Sequence, residues 1–234
     1  MNEKVNLNRI AENSIYGRGI NRVTVEYSGK IFARHMVDGS VLELGPAEGI
    51  MTDMLYPKYQ NDYTVVDAGS VFIESLRKRY PNIIAHECLF EEFKPNKRYD
   101  NIILGHVLEH VEDPVSILIQ CKSWLDEGGL VLTTVPNANS IHRQAAVEMG
   151  LLKKLDDFSE KDYRHGHRRV FFMDTLQECF NDAGLKIQKS GGYWLKPLSD
   201  AQLERDWTKD MIDAFFRLGE KYPDIAGELY VVAK

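Results

Sequence analysis

The sequence predicts an α/β fold in which helices cover both faces of a mostly parallel sheet. Short runs rich in β-branched residues alternate with stretches of helical periodicity, and repeated strand–helix units of this length suit parallel strands. The 234 residues, 44% of them hydrophobic, can bury a substantial core and contain no internal repeat or linker. We therefore expect residues 1–234 to form a single domain.

Five strands are predicted between residues 40 and 135, and helices separate most of them. The strands are expected at 40–45, 63–67, 83–86, 99–105 and 130–135, and the helices at 21–36, 48–56, 70–80 and from 114 onward. Asp113 is a favourable N-cap for the last of these helices, and Pro114 suits its first position. Gly128 and Gly129 should end that helix.

The C-terminal part departs from this alternation. The predicted elements are a helix capped by Asp174 and ended by Gly184, strands at 185–189 and 227–233, and a helix that begins at Ser199. Ser199 and Gln202 form a capping box, which predicts one long helix. Its apolar face would carry Leu203, Trp207, Met211, Phe215 and Leu218. The two late strands should pair in antiparallel fashion.

The most informative segment runs from residue 41 to residue 49. A buried strand leads into a turn at Gly45 and then into a helix, so backbone amides converge at a helix N-terminus. Gly45 permits the tight turn, and Gly49 permits a close approach of the helix. Asp67 ends the next strand, where a carboxylate can accept hydrogen bonds from both hydroxyls of a ribose. These residues predict a nucleotide-type cofactor at the carboxyl ends of the strands.

The same turn argues against a dinucleotide. A pyrophosphate needs the close approach that G-x-G-x-x-G provides, whereas Ala47 holds the middle position here. Glu43 and Glu48 add negative charge, which suits a ligand that carries an ammonium and a sulfonium group. The turn therefore favours S-adenosylmethionine (SAM), and a nicotinamide-dependent dehydrogenase is the weakest alternative.

The motif Glu43-x-Gly45-x-Ala47-x-Gly49 resembles the first motif of the class I SAM-dependent methyltransferases. Further matches follow in the family's order over residues 40–190: Asp67 as the ribose-binding acid, Leu89 and Phe90 beside the adenine, 99–111 as the fourth motif and 128–138 around the next strand. Within the family, the chain is similar to the ubiquinone-biosynthesis O-methyltransferases.

This resemblance implies a Rossmann-like sheet of seven strands with one antiparallel strand near the C-terminus. It also implies methyl transfer from SAM. The cofactor-binding residues would then be Glu43, Gly45, Ala47, Gly49, Asp67, Leu89, Phe90, Gly105 and His106.

Four segments divide the chain on this basis. They are an N-terminal helical cap at 1–37, a SAM-binding half at 38–136, an acceptor-site insert at 137–173, and C-terminal helices with closing strands at 174–234. The insert far exceeds the usual connection of about 2–6 residues, and long inserts commonly form lids or binding loops. A scaffold helix or a dimer contact is the alternative.

Methyl transfer from a sulfonium is an in-line displacement, so the protein chiefly positions the acceptor and excludes water. An oxygen acceptor must also lose a proton, which calls for a histidine, a carboxylate or a metal ion. His142, after the fifth strand, and His167, in a glycine-containing loop, are the candidate catalytic bases. A solvated helix-start histidine and a loop anchor are the respective alternatives.

A divalent metal is another possibility. His106, Glu109 and His110 follow the fourth strand at spacings that share one face of a helical turn. Together with His167 they offer imidazole and carboxylate ligands, which suit zinc or iron. The pattern resembles E-x-x-E-H…H of the small-RNA 3′-end 2′-O-methyltransferases and some ubiquinone-pathway enzymes, with His106 in place of the first glutamate. Alternatively, Glu109 and His110 are structural, and His106 touches the methionine end of the cofactor.

Five further residues are candidate acceptor contacts: Tyr16, Arg18, Arg164, Trp194 and Lys196. Tyr16 and Arg18 adjoin glycines near the N-terminus and could close over the site. Trp194 and Lys196 follow the predicted sixth strand, and Arg164 with Lys196 could attract an anionic acceptor. A simple turn, core packing and a solvated surface are the alternatives.

Composition limits the partners and the compartment. The formal net charge of −6 argues against a dedicated nucleic-acid binder. The sequence contains no apolar run of about 18 residues, and its first residues do not resemble a secretory signal. Cys88, Cys121 and Cys179 lack metal or disulfide spacing and suit the reduced state, so we expect a cytoplasmic protein.

These observations together predict a SAM-dependent methyltransferase that acts on a small-molecule acceptor, at a hydroxyl oxygen. The alternatives are methylation of a nitrogen or carboxylate of a small metabolite, metal-dependent 2′-O-methylation of RNA, and SAM binding without catalysis. The sequence does not distinguish a monomer from a homodimer.

Overall fold

One mixed sheet organises the computed structural model, which describes residues 17–234. Its strands are β1 (Val41–Leu44), β2 (Tyr63–Asp67), β3 (Ile84–Glu87), β4 (Tyr99–Gly105), β5 (Leu125–Pro136), β6 (Ile187–Tyr193) and β7 (Glu228–Ala233). In these residues they form a seven-stranded sheet in the order β3-β2-β1-β4-β5-β7-β6. The first five strands run parallel, and β7 pairs antiparallel with both β5 and β6. The predicted Rossmann-like sheet with one antiparallel strand is therefore confirmed.

Helices lie on both faces of the sheet. They are α1 (Gly19–Ala33), α2 (Ile50–Tyr59), α3 (Ser70–Arg79), α4 (Pro114–Trp124), α5 (Ile141–Glu148), α6 (Glu160–His165), α7 (Met173–Asp182), α8 (Asp200–Asp206) and α9 (Lys209–Lys221). Side chains of β4 alternate between two hydrophobic clusters, with Ile102 and Leu104 in one and Ile103 in the other. Residues of α4 and α7 complete the first cluster, and residues of α1, α2, α3 and α9 complete the second.

The long helix predicted from Ser199 is wrong, because the structure has two helices, α8 and α9. Trp207 leaves the helical conformation with φ −103° and ψ 137°. The side chain of Thr208 then accepts a hydrogen bond from the backbone N–H of Met211 and caps α9. Met211 is exposed rather than part of the core. The capping preference of Thr208 thus outweighed the continuous apolar periodicity.

Three further boundaries differ from the prediction. Helix α4 ends at Trp124, and Gly128 and Gly129 lie within β5 instead of ending the helix. Phe172, not Asp174, is the N-cap of α7. Strand β6 lies at Ile187–Tyr193 instead of the predicted 185–189, because it pairs with β7 from one end of β7 to the other.

The insert after β5 folds into α5 and α6 and is fastened by buried polar groups. Arg143 donates from Nε to the carbonyl of Leu155 at 2.7 Å and from Nη1 to the carboxylate of Asp162 at 3.1 Å. Asn137, at the start of the insert, donates to the carbonyl of Ala226 at 2.8 Å. These bonds hold the insert beside the carboxyl ends of β4 and β5, where a parallel sheet binds ligands.

Candidate active site

A cavity of about 440 Å³, including its open mouth, lies over the turn between β1 and α2. Gly45 and Gly49 have φ of +67° and +77°, which favours glycine, and Ala47 between them has φ of +48°. A Cβ atom at Gly45 would lie 2.9 Å from Val107 Cγ2, so the turn has no room for a side chain. Five of the predicted cofactor residues line this cavity: Glu43, Gly45, Ala47, Gly105 and His106.

Glu43 lies beneath the turn rather than beside it. Its carboxylate accepts hydrogen bonds from Thr52 Oγ1 and from the hydroxyl of Tyr63, both at 2.7 Å. Burial raises the pKa of Glu43 to about 7, although these two hydrogen bonds oppose the rise. The side chain thereby joins β1, β2 and α2 below the cavity floor.

The other predicted cofactor residues, Gly49, Asp67, Leu89 and Phe90, do not line this cavity. Asp67 accepts hydrogen bonds from the backbone N–H groups of Gly69 at 2.7 Å and Ala47 at 3.3 Å, which ties the end of β2 to the turn. Burial raises its pKa to about 6. A Cβ on Gly45 would lie 3.5 Å from the ring of Phe90, so this ring is close to the turn. Leu89 precedes it, at the start of a short 3-10 helix.

His106 lies between two cavities and lines both of them. It lines the cavity over the turn and also a larger one of about 740 Å³, including the open mouth, between α1 and the insert. Its backbone has φ of +57°, an uncommon conformation for a histidine, and its N–H donates to the carbonyl of Thr134 at 2.9 Å. Of the histidines, all of which lie in the described part of the chain, only His106 lines both cavities.

Acidic side chains surround the His106 imidazole. Its Nδ1 lies 3.5 Å from Glu109 Oε1 and 3.8 Å from Glu228 Oε2, and its Nε2 lies 3.5 Å from Ser28 Oγ. Burial by itself lowers the pKa of His106, but the two carboxylates raise it above the ordinary value. The ring is therefore placed to hold a proton that its surroundings stabilise.

Most of the remaining predicted site residues line the larger cavity. His142, His167, Glu109, Trp194 and Lys196 all line it. The indole of Trp194 is 1% exposed and stacks on Phe216 at 4.2 Å, so most of its surface belongs to the core.

Three of the four predicted metal ligands form a cluster. Glu109, His110 and His167 each place one ligand atom within 4.8 Å of the others, and His106 lies beside the cluster instead of in it. Among residues 17–234, neither carboxylate oxygen of Glu109 accepts a hydrogen bond. His167 Nδ1 lies 2.8 Å from Asp162 Oδ1, which leaves Nε2 to face the cluster, as in histidines that bind metals. These residues fit a divalent ion.

Two predicted acceptor contacts lie elsewhere. Arg18 and Arg164 have exposed side chains and do not line either cavity. Tyr16 lies outside the described residues.

Sequence reasoning missed five charged residues of the larger cavity, namely Arg143, Lys161, Asp162, Asp200 and Glu228. Glu228 reaches the site because β7 pairs antiparallel with β5 and sets it opposite Pro136. Its position at the start of the last predicted strand was the available signal. No spacing in the sequence joins Lys161 to Asp200.

The described part of the chain contains no helix long and apolar enough to cross a membrane.

Comparison with known proteins identifies the family. The profile of the methyltransferase domain matches residues 17–190. The chain is 28% identical over 125 residues to a ubiquinone biosynthesis O-methyltransferase of Dinoroseobacter shibae, covering 52% of this chain and 48% of that protein. It is 25% identical over 181 residues to the (S)-coclaurine N-methyltransferase of Thalictrum flavum subsp. glaucum, covering 70% and 48%.

The chain thus spans about half the length of these curated relatives. A crystal structure of a SAM-dependent methyltransferase from Archaeoglobus fulgidus shares the fold, with a TM-score of 0.62 at 16% identity over 91% of this chain and 94% of that one. The domain match covers most of the chain, and the fold and the turn between β1 and α2 agree with it. The chain belongs to the class I SAM-dependent methyltransferases.

Proposed function

We propose that this protein transfers the methyl group of SAM to a hydroxyl oxygen of a small molecule, with His106 as the general base. The observation that carries the proposal is the position of His106, which lines both the cavity over the turn and the larger cavity. SAM would occupy the first cavity and the acceptor the second. The two reacting groups would then meet at His106.

The two sides of the imidazole support this role. Nδ1 lies 3.5 and 3.8 Å from the carboxylates of Glu109 and Glu228, so it is the nitrogen whose proton their negative charge stabilises. Nε2, which lies 3.5 Å from Ser28 Oγ, then keeps the lone pair that would take the proton of the acceptor, and Ser28 would have to release this nitrogen. The resulting imidazolium is stabilised by two acidic side chains, which makes the transfer to His106 favourable.

The reaction balances without another reactant. The acceptor oxygen forms a bond to the methyl carbon while the carbon–sulfur bond breaks, and sulfur keeps the electron pair. The hydroxyl proton passes to Nε2 of His106 and later to solvent. S-adenosylhomocysteine (SAH) and a methyl ether are the products.

The larger cavity supports a small acceptor. Its lining combines the indole of Trp194 with the polar side chains of His142 and Asn21, a mixture typical of small-ligand sites. By their names, one of the relatives above is an O-methyltransferase of ubiquinone biosynthesis and the other an N-methyltransferase of (S)-coclaurine. Because one is an O-methyltransferase and the other an N-methyltransferase, an amine is the competing acceptor.

A transfer assay with His106→Gln tests the proposal. The full chain is incubated with methyl-labelled SAM and a panel of phenols, catechols and alcohols, each paired with the corresponding amine. We expect His106→Gln to lower kcat by about 100-fold or more while SAH affinity changes little. His86→Gln is the matched control, since His86 packs on Phe93 outside both cavities.

Two results would contradict the proposal. Full activity of His106→Gln would exclude His106 as the base, and His142→Gln and His167→Gln would then be measured, since both side chains line the larger cavity. A product methylated only on nitrogen, identified by mass spectrometry, would exclude the hydroxyl acceptor.

A divalent metal at Glu109, His110 and His167 is a second candidate, favoured by the ligand atoms that lie within 4.8 Å of one another. Such an ion would lower the pKa of an acceptor hydroxyl. Glu109 would then bind the ion instead of facing His106, so the two candidates compete for one carboxylate.

Calorimetric titration of Zn²⁺ or Mg²⁺ into chelator-treated protein with SAH distinguishes the two candidates. Stoichiometric binding that His110→Ala abolishes and His142→Ala preserves would establish the metal. Absence of binding would leave His106 as the base.

A further inference from the structure

Two lysines share one acid at the side of the larger cavity formed by α6 and α8. Lys196 Nζ lies 2.5 Å from Asp200 Oδ1, and Lys161 Nζ lies 2.6 Å from Asp200 Oδ2. Lys161 also donates to the side-chain oxygen of Asn21 at 2.9 Å. One carboxylate opposes two ammonium groups, so this trio carries a net charge of +1.

Lys196 is the buried member of the trio. Its side chain is only 12% exposed and that of Asp200 is 24% exposed, whereas the side chain of Lys161 is 41% exposed. A buried charge requires a partner, because burial removes the water that would otherwise stabilise it. Among the described residues Asp200 forms the ion pair with Lys196, and Glu228 acts on Lys196 from a greater distance. An ammonium has three hydrogens to donate, so Lys196 can bind a further acceptor.

His142 adds an unused polar group to the same side. It lines the same cavity, and its buried Nδ1 has no hydrogen-bond partner among residues 17–234. Burial, with the charges of Lys196 and Arg143, lowers its pKa to about 3, so the ring is neutral and can donate from one nitrogen. Leaving a buried donor unsatisfied is unfavourable, which indicates a ligand at this position.

The cavity is therefore polarised. Lys161, Lys196 and His142 provide positive charge and donors, whereas Glu109 and Glu228 surround His106, which also lines the cavity over the turn. A ligand with an anionic group and a separate hydroxyl would fit in one orientation, with the anion at the lysines and the hydroxyl at His106.

We propose that Lys161, Lys196 and His142 bind a carboxylate of the acceptor, so that the substrate is a hydroxy acid whose hydroxyl lies at His106. A monoanion matches the net charge of +1 of the trio. This inference rests on the proposed function, because it concerns the acceptor of the same site. Lys196 and Lys161 are specificity-determining residues under this proposal, and they take no part in the bond changes.

Calorimetric binding of matched acids and amides to the SAH-saturated full chain tests the proposal. The pairs are acetate and acetamide, benzoate and benzamide, and 4-hydroxybenzoate and 4-hydroxybenzamide, and inorganic phosphate is titrated separately. We expect at least one acid to bind about tenfold or more tightly than its amide, and Lys196→Met to abolish that preference. Lys161→Met should weaken it as well.

Lys209→Met is the matched control. Lys209 and Asp213 form another Lys–Asp pair four residues apart, but the lysine side chain is 84% exposed and lies outside the cavity. This variant should keep the full preference for the acid. Unchanged SAH affinity in each variant verifies that it has folded.

Three outcomes would overturn the carboxylate site. They are equal binding of acids and amides, no binding of any acid below about 10 mM, and a preference that survives Lys196→Met. Phosphate that binds more tightly than every carboxylate would replace the hydroxy acid with a phosphorylated acceptor. Failure of SAH itself to bind would contradict the proposed function instead, so the two failures are distinguishable.

Discussion

Replacing Glu43 by Gln should change how stability depends on pH. The folded chain buries this carboxyl and raises its pKa from 4.5 to about 7. In the unfolded chain the group ionises at its ordinary pKa. Between these two pKa values the carboxyl is protonated in the folded chain and ionised in the unfolded chain. The free energy of unfolding therefore decreases as the pH rises through this interval.

The magnitude follows from the displacement of the pKa. At about 1.4 kcal/mol per pKa unit, Glu43 should cost the native protein about 2.5 kcal/mol of unfolding free energy between about pH 5 and pH 8. Gln cannot ionise, and its side-chain oxygen can still accept the hydrogen bonds from Thr52 and Tyr63. Glu43→Gln should therefore match the native protein near pH 5 and exceed its stability near pH 8.

Urea unfolding of both proteins at several pH values measures this difference, and the other titrating groups cancel in the comparison. Glu127→Gln, at an exposed position in β5, is the control and should change stability by about 0.5 kcal/mol or less at every pH. Parallel pH profiles of the native protein and Glu43→Gln would contradict this prediction, because they would mean that Glu43 has the same pKa in the folded and unfolded chains.

Two more substitutions concern predicted cofactor residues: one tests SAH affinity and the other tests the packing of the turn. Asp67→Ala should weaken SAH binding about tenfold or more by calorimetry, since it removes both the proposed ribose acceptor and the bond to the turn at Ala47; unchanged affinity would exclude the ribose role. Gly49→Ala should lower the unfolding free energy by about 2–3 kcal/mol, because its Cβ would lie 2.6 Å from Leu76 Cδ2 at a φ of +77°. Gly150→Ala has a similar φ of +72° with nothing within 4 Å, so it should cost only about 1 kcal/mol, and equal losses in the two variants would contradict the packing argument.

Local chemistry explains why much of the fold could be predicted. The bounds of β4 at Tyr99 and Gly105 were correct, because a β-branched run ends at a glycine. Asp113 caps α4 as expected, by accepting a hydrogen bond from the N–H of Ser116. The turn after β1 was recognisable because a strand, two glycines and a helix follow one another directly in sequence.

Tertiary contacts explain what could not be predicted. The direction of the Glu43 carboxylate depends on Thr52 and Tyr63, which a strand pattern alone does not bring together. Lys161 and Asp200 meet only because the insert packs beside α8. Glu228 approaches His106 through the antiparallel pairing of β7, which is a property of the whole sheet.

A crystal structure of the complex with SAH would show whether donor and acceptor meet at His106. We expect the cofactor to occupy the cavity over Gly45 and Ala47, with its sulfur within about 5 Å of the His106 ring and directed toward the larger cavity. A sulfur atom directed away from that cavity, or a cofactor bound elsewhere, would contradict the claim that donor and acceptor meet at His106.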